Sequence, residues 1–560
     1  MSDLPTTQYA VQLVGVNELR LNKAKPVHRP TGHQILAKVE ATSLCFSDLK
    51  LLKQFSDHAR KSEVVSGLVE GLQENPSYVP GSLPTVPGHE TVVRIVAAGE
   101  RVEEHRVGER CLVQTDYRAL KTVAGSNAAF GYNFEGGLQE YVLIDERISR
   151  DAATGERLLL PVSEERAAAA VALVEPWACV EDSYITPERN RIKPHGQLLV
   201  VADPSCPIGG LAEAFDAEGG PPVGMVAVCP DTAQRQVLAA CGPAVQFLDS
   251  LEAVGKQVFD DIVYFGSTRP VIESLNGHLA NRGILNVVTC GKRIGDAVAI
   301  GVGRIHYGLT RWIGTRSEQA VDAYGSITPN GEIRDRDRCL IVGAGGPMGQ
   351  MHVIRNICSG LAHIRITATD FDDARLEALS RLATPLARDR YAELHIVNPK
   401  RTPIQEHPTY IAIMVPAAGL VSRAIADAAA GCRINIFAGI AATTMHEIDL
   451  DAVIDKRIFL FGTSGSTLRD MKKVLYKVET GQIDTNASVD AVCGMAGVVE
   501  GVAAMENRTL AGKTVVYPVL HDLGLTPLAS LPQVLPNVAG KLENGRWCKA
   551  AEEELLRSAS

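Results

Sequence analysis

Residue types that bind transition metals stand at separate points of the chain: a thiol at Cys45, an imidazole and a carboxylate at His89 and Glu90, and a further carboxylate at Glu175. His89 and Glu90 follow a Pro-Gly pair and open an apolar, β-branched run, so they lie at the start of a predicted strand. Thiolate, imidazole and carboxylate ligands suit tetrahedral Zn²⁺, and a catalytic zinc keeps one position open. Taken singly, each residue is more often structural, so only the combination indicates a metal site.

A second candidate site is the glycine-rich stretch CLIVGAGGPMGQMHVIRNI, residues 339–357. A strand, a glycine turn and a helix in this order let the backbone approach a pyrophosphate, which the helix N-terminus then binds. Asp370 ends the next predicted strand about 20 residues after Gly349, where an acid binds ribose hydroxyls. The predicted NAD-binding residues are Gly343, Gly345, Gly346, Pro347, Met348, Gly349, Asp370 and Arg375.

The register of these glycines has two interpretations. Gly343, Gly345 and Gly349 give a motif one residue longer than the GxGxxG fingerprint, whereas a motif that starts at Ala344 keeps the length and loses the first glycine. Asp370 favours NAD over NADP, because a carboxylate repels a 2′-phosphate. A nearby arginine, Arg375, weakens that preference.

The elements that must position these residues are of two kinds. Residues 1–185 are β-rich, with short runs at 10–14, 34–39, 91–97, 110–114 and 138–144 between glycine and proline turns. The segment 54–83 interrupts them and reads as an insertion. From about residue 197, apolar strands alternate with helical patterns, which is typical of a parallel α/β sheet.

The α/β pattern occurs twice, which indicates an internal duplication. GILNVVTCG at 283–291 corresponds to CRINIFAGI at 432–440, and RIHYGLTRWIGT at 304–315 to KRIFLFGTSGS at 456–466. In the first copy the loop after the strand at 197–202 reads ADPSCPIGG, and a helix is expected to open at 209–215. Prolines and Asp203 replace the glycines there, so we predict that this copy does not bind a dinucleotide.

The predicted domains are a catalytic domain at 1–190 completed by 487–560, a degenerate Rossmann-like unit at 191–330, and an NAD-binding Rossmann domain at 331–486. The net charge of -9 argues against a nucleic-acid partner. Apolar runs stay below the roughly 18–20 residues of a membrane span, and no secretory signal is visible. The twelve cysteines lack CxxC spacing and read as reduced thiols, so we expect a cytoplasmic protein.

The motifs CFSDLK, PGHE, VGERCLV, GGLQEYVLI, VEPWACV and AGGPMG, in that order, resemble the zinc-dependent medium-chain dehydrogenase/reductase family. Within it they are most similar to the polyol and sugar-alcohol dehydrogenases. The resemblance covers 1–185, 335–470 and the C-terminal return, but not the first α/β copy. It implies an α/β fold with a GroES-like catalytic domain and a Rossmann unit, to which the first copy adds a second Rossmann-like unit in tandem.

The resemblance also implies the chemistry of the site. Zn²⁺ would be held by Cys45, His89 and Glu175, with Glu90 as a fourth or exchanging ligand. The enzyme would transfer a hydride between a secondary alcohol (a polyol, sugar or sugar phosphate) and NAD, with NADP less favoured. Ser47 would receive the proton of the alcohol, and Lys50 would replace the usual relay histidine.

The sequence departs from the family in three places. The segment 115–141 lacks the cysteines of a structural zinc site, so we predict a single Zn²⁺ per chain. The insertion before PGHE reshapes the mouth of the site, where Lys53, Lys61 and Tyr78 could contribute. The extra α/β copy could fill the place of a partner subunit, which would replace the homodimer that the family implies with a monomer.

Two other functions are compatible with the sequence. One is a zinc-free reductase of the same superfamily that acts on enones or quinones. The other is a non-catalytic nucleotide-binding scaffold built from a duplicated dehydrogenase. Metal analysis separates the first from the zinc enzyme, and NAD binding without turnover of any polyol identifies the second.

Overall fold

The computed structural model describes residues 4–67, 71–151, 153–204 and 206–558. The chain forms two compact units, Met1–Glu181 with Ser466–Ser560, and Asp182–Gly465. The second unit contains both α/β copies. None of the helices in the described ranges combines the length and the apolar character that crossing a membrane requires.

The N-terminal part of the chain is built mainly of antiparallel strands, and the predicted runs at 34–39 and 91–97 lie inside two of them. Its elements are Thr7–Gly15 (β1), Glu18–Pro26 (β2), Gln34–Ser43 (β3), Phe46–Gln54 (α1), Val64–Ser66 (β4), Glu90–Ala98 (β5), Arg110–Val113 (β6), Asp116–Thr122 (β7), Asn127–Ala129 (β8), Tyr141–Asp145 (β9), Leu159–Pro161 (β10), Ala168–Ala172 (α2) and Val174–Ile185 (α3). β3 pairs with both β5 and β9, and most of its residues are buried, as expected of a strand in the middle of a sheet.

The first α/β copy is a six-stranded parallel sheet in the order β13-β12-β11-β14-β15-β17. Its elements are Gln197–Ala202 (β11), Gly224–Val228 (β12), Thr232–Ala239 (α4), Val245–Leu248 (β13), Phe259–Phe265 (β14), Arg269–Leu275 (α5), Leu279–Val288 (β15), Val298–Ile300 (β16), Val302–Tyr307 (α6), Arg311–Thr315 (β17) and Ala320–Tyr324 (α7).

The helix expected at 209–215 is wrong. Only a short 3-10 turn forms, at Ala212–Ala214, while Gly209 and Phe215 make isolated bridges to Gln319 and Ile192. The adjacent prolines and glycines disfavour a helix at this point, because they have the lowest helix propensities.

The second copy has the equivalent strand order, β20-β19-β18-β21-β22-β24, again all parallel. Its elements are Arg338–Val342 (β18), Pro347–Ile357 (α8), Arg365–Thr369 (β19), Asp373–Asp389 (α9), Glu393–Val397 (β20), Tyr410–Ile413 (β21), Gly419–Asp427 (α10), Arg433–Ile436 (β22), His446–Ile448 (β23), Leu450–Asp455 (α11) and Phe459–Phe461 (β24). Both copies therefore follow the strand order of the doubly wound Rossmann fold, and the predicted fold class is confirmed.

The C-terminal return completes the first unit. Its elements are Leu468–Glu479 (α12), Val489–Cys493 (β25), Val498–Glu506 (α13), Lys513–Val516 (β26), Thr526–Pro527 (β27), Leu531–Val534 (α14), Pro536–Ala539 (α15) and Lys549–Ser558 (α16). β26 runs antiparallel to β3, so the return extends the sheet that carries the N-terminal strands. On α16, the Glu552 carboxylate accepts the free N–H groups of Ala168 and Ala169 at the start of α2, which ties down the end of the chain.

Candidate metal centre and nucleotide-binding loop

The register of β3 against β5 brings the candidate ligands together. In this antiparallel pair Ser43 lies opposite Glu90, so the end of β3 adjoins the start of β5. Cys45 follows two residues after Ser43 as the N-cap of α1, and His89 immediately precedes β5. Residues far apart in the sequence therefore meet because a strand end and a strand start share one edge.

The ligand atoms of Cys45, His89 and Glu90 lie within 4.8 Å of one another, a grouping that fits a single metal ion. Bonds from Zn²⁺ to sulfur, nitrogen and oxygen are about 2.0–2.3 Å long, so small shifts would bring these atoms to one ion. Glu90 Oε2 is buried and accepts no hydrogen bond from the described residues. A buried carboxylate oxygen without a donor is costly, and a cation at this point would satisfy it.

Asp48 orients two of the candidate ligands. Its Oδ2 accepts a hydrogen bond of 2.9 Å from the backbone N–H of Cys45, and its Oδ1 lies 3.2 Å from Nδ1 of His89. We therefore assign the imidazole proton to Nδ1, which leaves the lone pair on Nε2 for a metal or a donor. A carboxylate behind a ligating histidine is the usual support of a metal site.

Lys513 holds the carboxylate of Glu90 in place. Its Nζ donates to Glu90 Oε1 at 2.6 Å, and both side chains are buried. Burial alone would lower the pKa of the Lys513 amine. Glu90 and other nearby anions outweigh this effect, so the pKa of Lys513 is raised. The pair leaves Glu90 Oε2 directed away from this contact, as the oxygen available to a metal.

Glu175 lies in the first turn of α3 and is not a member of the group within 4.8 Å. Burial raises the pKa of Glu175, while His89 lowers it and Glu90 raises it, so all three groups act on one another. The Cys179 thiol, one turn further along α3, lies 3.8 Å from Glu175 Oε1. The structure thus brings together three of the four expected ligands and places the fourth within their electrostatic reach.

Ser47 is in contact with the cluster, whereas Lys50 faces solvent. Ser47 Oγ lies 3.0 Å from His89 Nε2. Burial raises the pKa of the Tyr132 phenol, and His89 and Ser47 are among the groups that oppose this shift. Lys50 is three residues further along α1 and exposed. Residues spaced by three share one face of a helix, so this face leads from Ser47 to solvent.

Sequence reasoning missed the supporting roles of Asp48, Lys513 and Tyr132. Asp48 follows Cys45 by three residues, the spacing of a capping box, and that signal could have been used. Lys513 and Tyr132 carry no local signal, because their contacts depend on how distant strands and loops fold together.

The glycine-rich loop joins β18 to α8 in the second copy. Gly343 has a φ of 82°, and a Cβ on Gly349 would lie 2.3 Å from the Gly343 carbonyl oxygen, so helix and strand approach too closely for any side chain there. α8 has Gly346 as its N-cap without a side-chain cap, followed by Pro347 and Met348. The first N–H groups of this helix therefore keep the arrangement that binds phosphate.

Asp370 is placed beside this loop. Its Oδ2 accepts the N–H of Gly345 at 3.0 Å, and its Oδ1 accepts the N–H of Asp372 at 3.1 Å. Arg375 Nε lies 4.0 Å from Asp372 Oδ2 on the same side of the loop. The predicted nucleotide-binding residues therefore occupy one edge of the sheet, at the carboxyl ends of β18 and β19.

In the first copy, the side chain of Asp203 and its hydrogen-bond partners occupy the position that corresponds to the glycine-rich loop. Asp203 follows β11 and accepts hydrogen bonds from the Tyr264 hydroxyl at 2.7 Å and from the Thr268 hydroxyl at 3.0 Å. A carboxylate in place of the phosphate-binding backbone repels a diphosphate, and only the 3-10 turn follows it.

Comparison with known proteins supports the assignment of the first unit. Residues 31–150, which include Cys45, His89 and Glu90, match the alcohol dehydrogenase GroES-like domain family. The resemblance to the medium-chain alcohol and polyol dehydrogenase family is therefore confirmed by this domain match and by the relatives described below.

Two relatives and one solved structure illustrate the similarity. An Escherichia coli K12 protein named Uncharacterized protein YggP is 26% identical over 340 residues, 54% of this chain and 74% of that protein. L-sorbose 1-phosphate reductase of Klebsiella pneumoniae is 25% identical over 349 residues, 57% of this chain and 78% of that protein. A candidate alcohol dehydrogenase structure from Sinorhizobium meliloti 1021 shares 12% identity with a TM-score of 0.50, over 92% of this chain and 99% of that one; this likeness shows the fold alone.

Proposed function

We propose that this protein is a zinc-dependent dehydrogenase that transfers a hydride between a secondary alcohol and NAD, with a polyol, sugar or sugar phosphate as substrate. The observation that carries the proposal is the convergence of Cys45, His89 and Glu90 within 4.8 Å, with Glu90 Oε2 buried and without a hydrogen-bond donor among the described residues. The similarity to a sugar-phosphate reductase supports the substrate class.

Cys45, His89 and Glu90 would hold the metal, with Glu175 in reserve as a further carboxylate. Zinc would supply Lewis acidity, which makes a hydroxyl proton easier to remove at neutral pH. Asp48 fixes the imidazole of His89, and Lys513 fixes one oxygen of Glu90. These supports keep the ligand atoms in place before any ion binds.

Ser47 would move the proton of the substrate. Its hydroxyl already bonds to His89 Nε2, so it lies at the edge of the donor set. Once Nε2 is engaged elsewhere, the Ser47 oxygen is free to accept the proton of the alcohol while its own hydroxyl proton is released towards solvent. Lys50, on the same face of α1 and exposed, would exchange that proton with solvent.

The loop at Gly343–Gly349 with Asp370 would bind the dinucleotide, which accepts the hydride. The uncapped start of α8 supports pyrophosphate binding, and the carboxylate of Asp370 favours a ribose with a free 2′-hydroxyl. NAD is therefore proposed as the preferred cofactor over NADP.

The first α/β copy would occupy the position of a partner subunit. β16 of the first copy pairs antiparallel with β23, its counterpart in the second, and both copies contribute to one hydrophobic core. Equivalent elements that contact each other reproduce an isologous interface within one chain. We propose on this basis that the protein is a monomer whose first copy has a structural role.

A spectrophotometric screen tests the function. Neutral polyols, sugars and sugar phosphates are offered to the purified chain with NAD⁺ or NADP⁺, with and without a chelator. Reduction of NAD⁺ that the chelator abolishes is expected. NAD binding without turnover of any member of the panel would favour the scaffold, and chelator-resistant turnover would favour the zinc-free reductase.

A further inference from the structure

Basic side chains of the insertion flank an aromatic ring next to the candidate metal centre. His58 and Arg60 belong to the 3-10 segment that follows α1, where the Arg60 backbone N–H donates to His58 Nδ1 at 3.2 Å. The guanidinium carbon of Arg60 lies 5.6 Å from the centre of the Tyr132 ring, and the His58 ring lies 5.1 Å from it. Arg60 and His58 therefore share Tyr132 as a neighbour.

Tyr132 also contacts the catalytic side of the site. Its ring centre lies 5.8 Å from that of His89. Tyr132 is therefore a neighbour of both Arg60 and the candidate metal ligand His89.

Arg60 is only weakly neutralised by the fold. The ion pair that it forms with Asp116 Oδ1 has a length of 3.9 Å. The same carboxylate accepts shorter bonds of 3.0 Å from Arg118 and from Asn127, so it is already occupied. The guanidinium, about one-third exposed, keeps donors available for a ligand.

The sequence also indicated Lys53 and Lys61 near the mouth of the site, but both amines are already engaged within the protein. Lys53 forms an ion pair of 2.7 Å with Glu506. Lys61 is buried and donates to the backbone carbonyls of Val79 and Leu83. These contacts leave Arg60, with Lys50 nearby, as the cations open to a ligand.

We propose that Arg60, assisted by Lys50 and His58, binds an anionic group of the substrate, so that the enzyme acts on polyol derivatives that carry a phosphate or a carboxylate apart from the reacting hydroxyl. This inference rests on the proposed function and narrows its substrate class. A guanidinium binds either anion through two parallel hydrogen bonds, and the centre of the Tyr132 ring lies 5.6 Å from the guanidinium carbon of Arg60. Arg60 is then a specificity-determining residue rather than a part of the chemistry.

Kinetics with matched substrates test the inference. The full-length, zinc-loaded chain is assayed with NAD⁺ and three related substrates: a neutral hexitol, its phosphate monoester and the corresponding aldonate. The wild type is expected to prefer one of the two anions over the hexitol, and the preferred anion identifies the source of the charge. Arg60→Gln should lower kcat/KM for that anion by roughly 10- to 100-fold, mainly through KM. The matched variant Arg118→Gln, which also loses a contact to Asp116, should keep the preference.

The outcomes separate the inference from the proposed function. Equal turnover of the hexitol and both anions by the wild type, or equal effects of the two variants, would overturn the role of Arg60 while the dehydrogenase stands. If the wild type oxidises none of the substrates, the proposed function fails. Calorimetric titration with inorganic phosphate then decides whether Arg60 forms an anion-binding site. Phosphate binding that Arg60→Gln abolishes and Arg118→Gln retains would support the site, and absence of binding by the wild type would refute it.

Discussion

Asp48 Oδ1 lies 3.2 Å from Nδ1 of His89, and this buried contact determines which imidazole nitrogen keeps its lone pair. The other oxygen of Asp48 accepts the N–H of Cys45, so one carboxylate supports two candidate ligands on different elements. Removing its charge should loosen the site without removing a ligand. A substitution at Asp48 therefore tests the support of the ligands while all the ligands stay in place.

Asp48→Asn should weaken metal binding by about 10- to 100-fold, because the amide supports the His89 imidazole less well than a carboxylate. Competition with a chromophoric chelator measures the affinity. The exposed Asp57, in the turn just after α1, provides the control Asp57→Asn, which should bind metal like the wild type. Equal affinities of the wild type and Asp48→Asn would show that Asp48 does not support the metal centre.

Cys45→Ala should abolish stoichiometric metal binding and dehydrogenase activity while circular dichroism stays unchanged, because a half-buried N-cap thiol contributes little to the fold. Cys241→Ala, which removes another half-buried thiol outside the cluster, should keep the metal. Elemental analysis after exhaustive dialysis reads out both variants. Retention of the ion by Cys45→Ala would remove the thiol from the ligand set.

Gly349→Ala should abolish NAD binding and lower the melting temperature, because the added Cβ would lie 2.3 Å from the Gly343 carbonyl oxygen. Gly346→Ala is the matched variant of the same loop: its Cβ would lie 3.9 Å from Arg375 Nη1, an ordinary van der Waals contact, so the fold should be unaffected. Calorimetric titration with NAD and thermal melting compare them. Wild-type NAD affinity in Gly349→Ala would contradict a dinucleotide site at this loop.

His58 should make stability depend on pH. Burial, followed by the charges of Arg60 and Lys50, lowers the pKa of His58 from 6.5 to about 4. Between these pH values the unfolded chain binds more protons than the folded one, so stability is present above 6.5 and is lost as the pH falls towards 4. His58→Gln should therefore show a shallower fall in melting temperature over this window, measured on metal-free protein.

The exposed His28 supplies the control for that experiment. His28→Gln should reproduce the wild-type dependence of melting temperature on pH. Identical slopes in all three proteins would mean that His58 titrates alike in the folded and unfolded chains.

The solution mass should be that of a single chain, 60.0 kDa, because the first α/β copy pairs with the second through β16 and β23. Light scattering coupled to gel filtration gives this mass directly. A stable dimer across the micromolar range would show that the first copy does not replace a partner subunit.

Much of the architecture could be predicted from local patterns. Alternation of apolar and polar residues marked β3 and β5, and the glycine loop with Asp370 marked the second Rossmann copy. The helix expected at 209–215 does not form, because the prolines and glycines next to it disfavour a helix. Local signals are reliable where neighbouring residues alone decide the structure.

The supports of the candidate site could not be predicted in the same way. The contact from Lys513 to Glu90 spans 423 positions and depends on the pairing of β26 with β3, which no short motif encodes. The position of Arg60 over Tyr132 depends on how the insertion packs, so its charge could not be tied to the site from sequence. The sequence indicated which residues could bind a metal, but the side chains that support them became apparent only in the tertiary structure.

Zinc titration of the metal-free protein tests the central claim most directly. With NAD⁺ and a substrate from the screen, the initial rate of NAD⁺ reduction should rise linearly with added Zn²⁺ and level off at one ion per chain, whereas Cys45→Ala should stay inactive throughout. A rate that is independent of added zinc, or full activity in the metal-free protein, would contradict a zinc-dependent dehydrogenase.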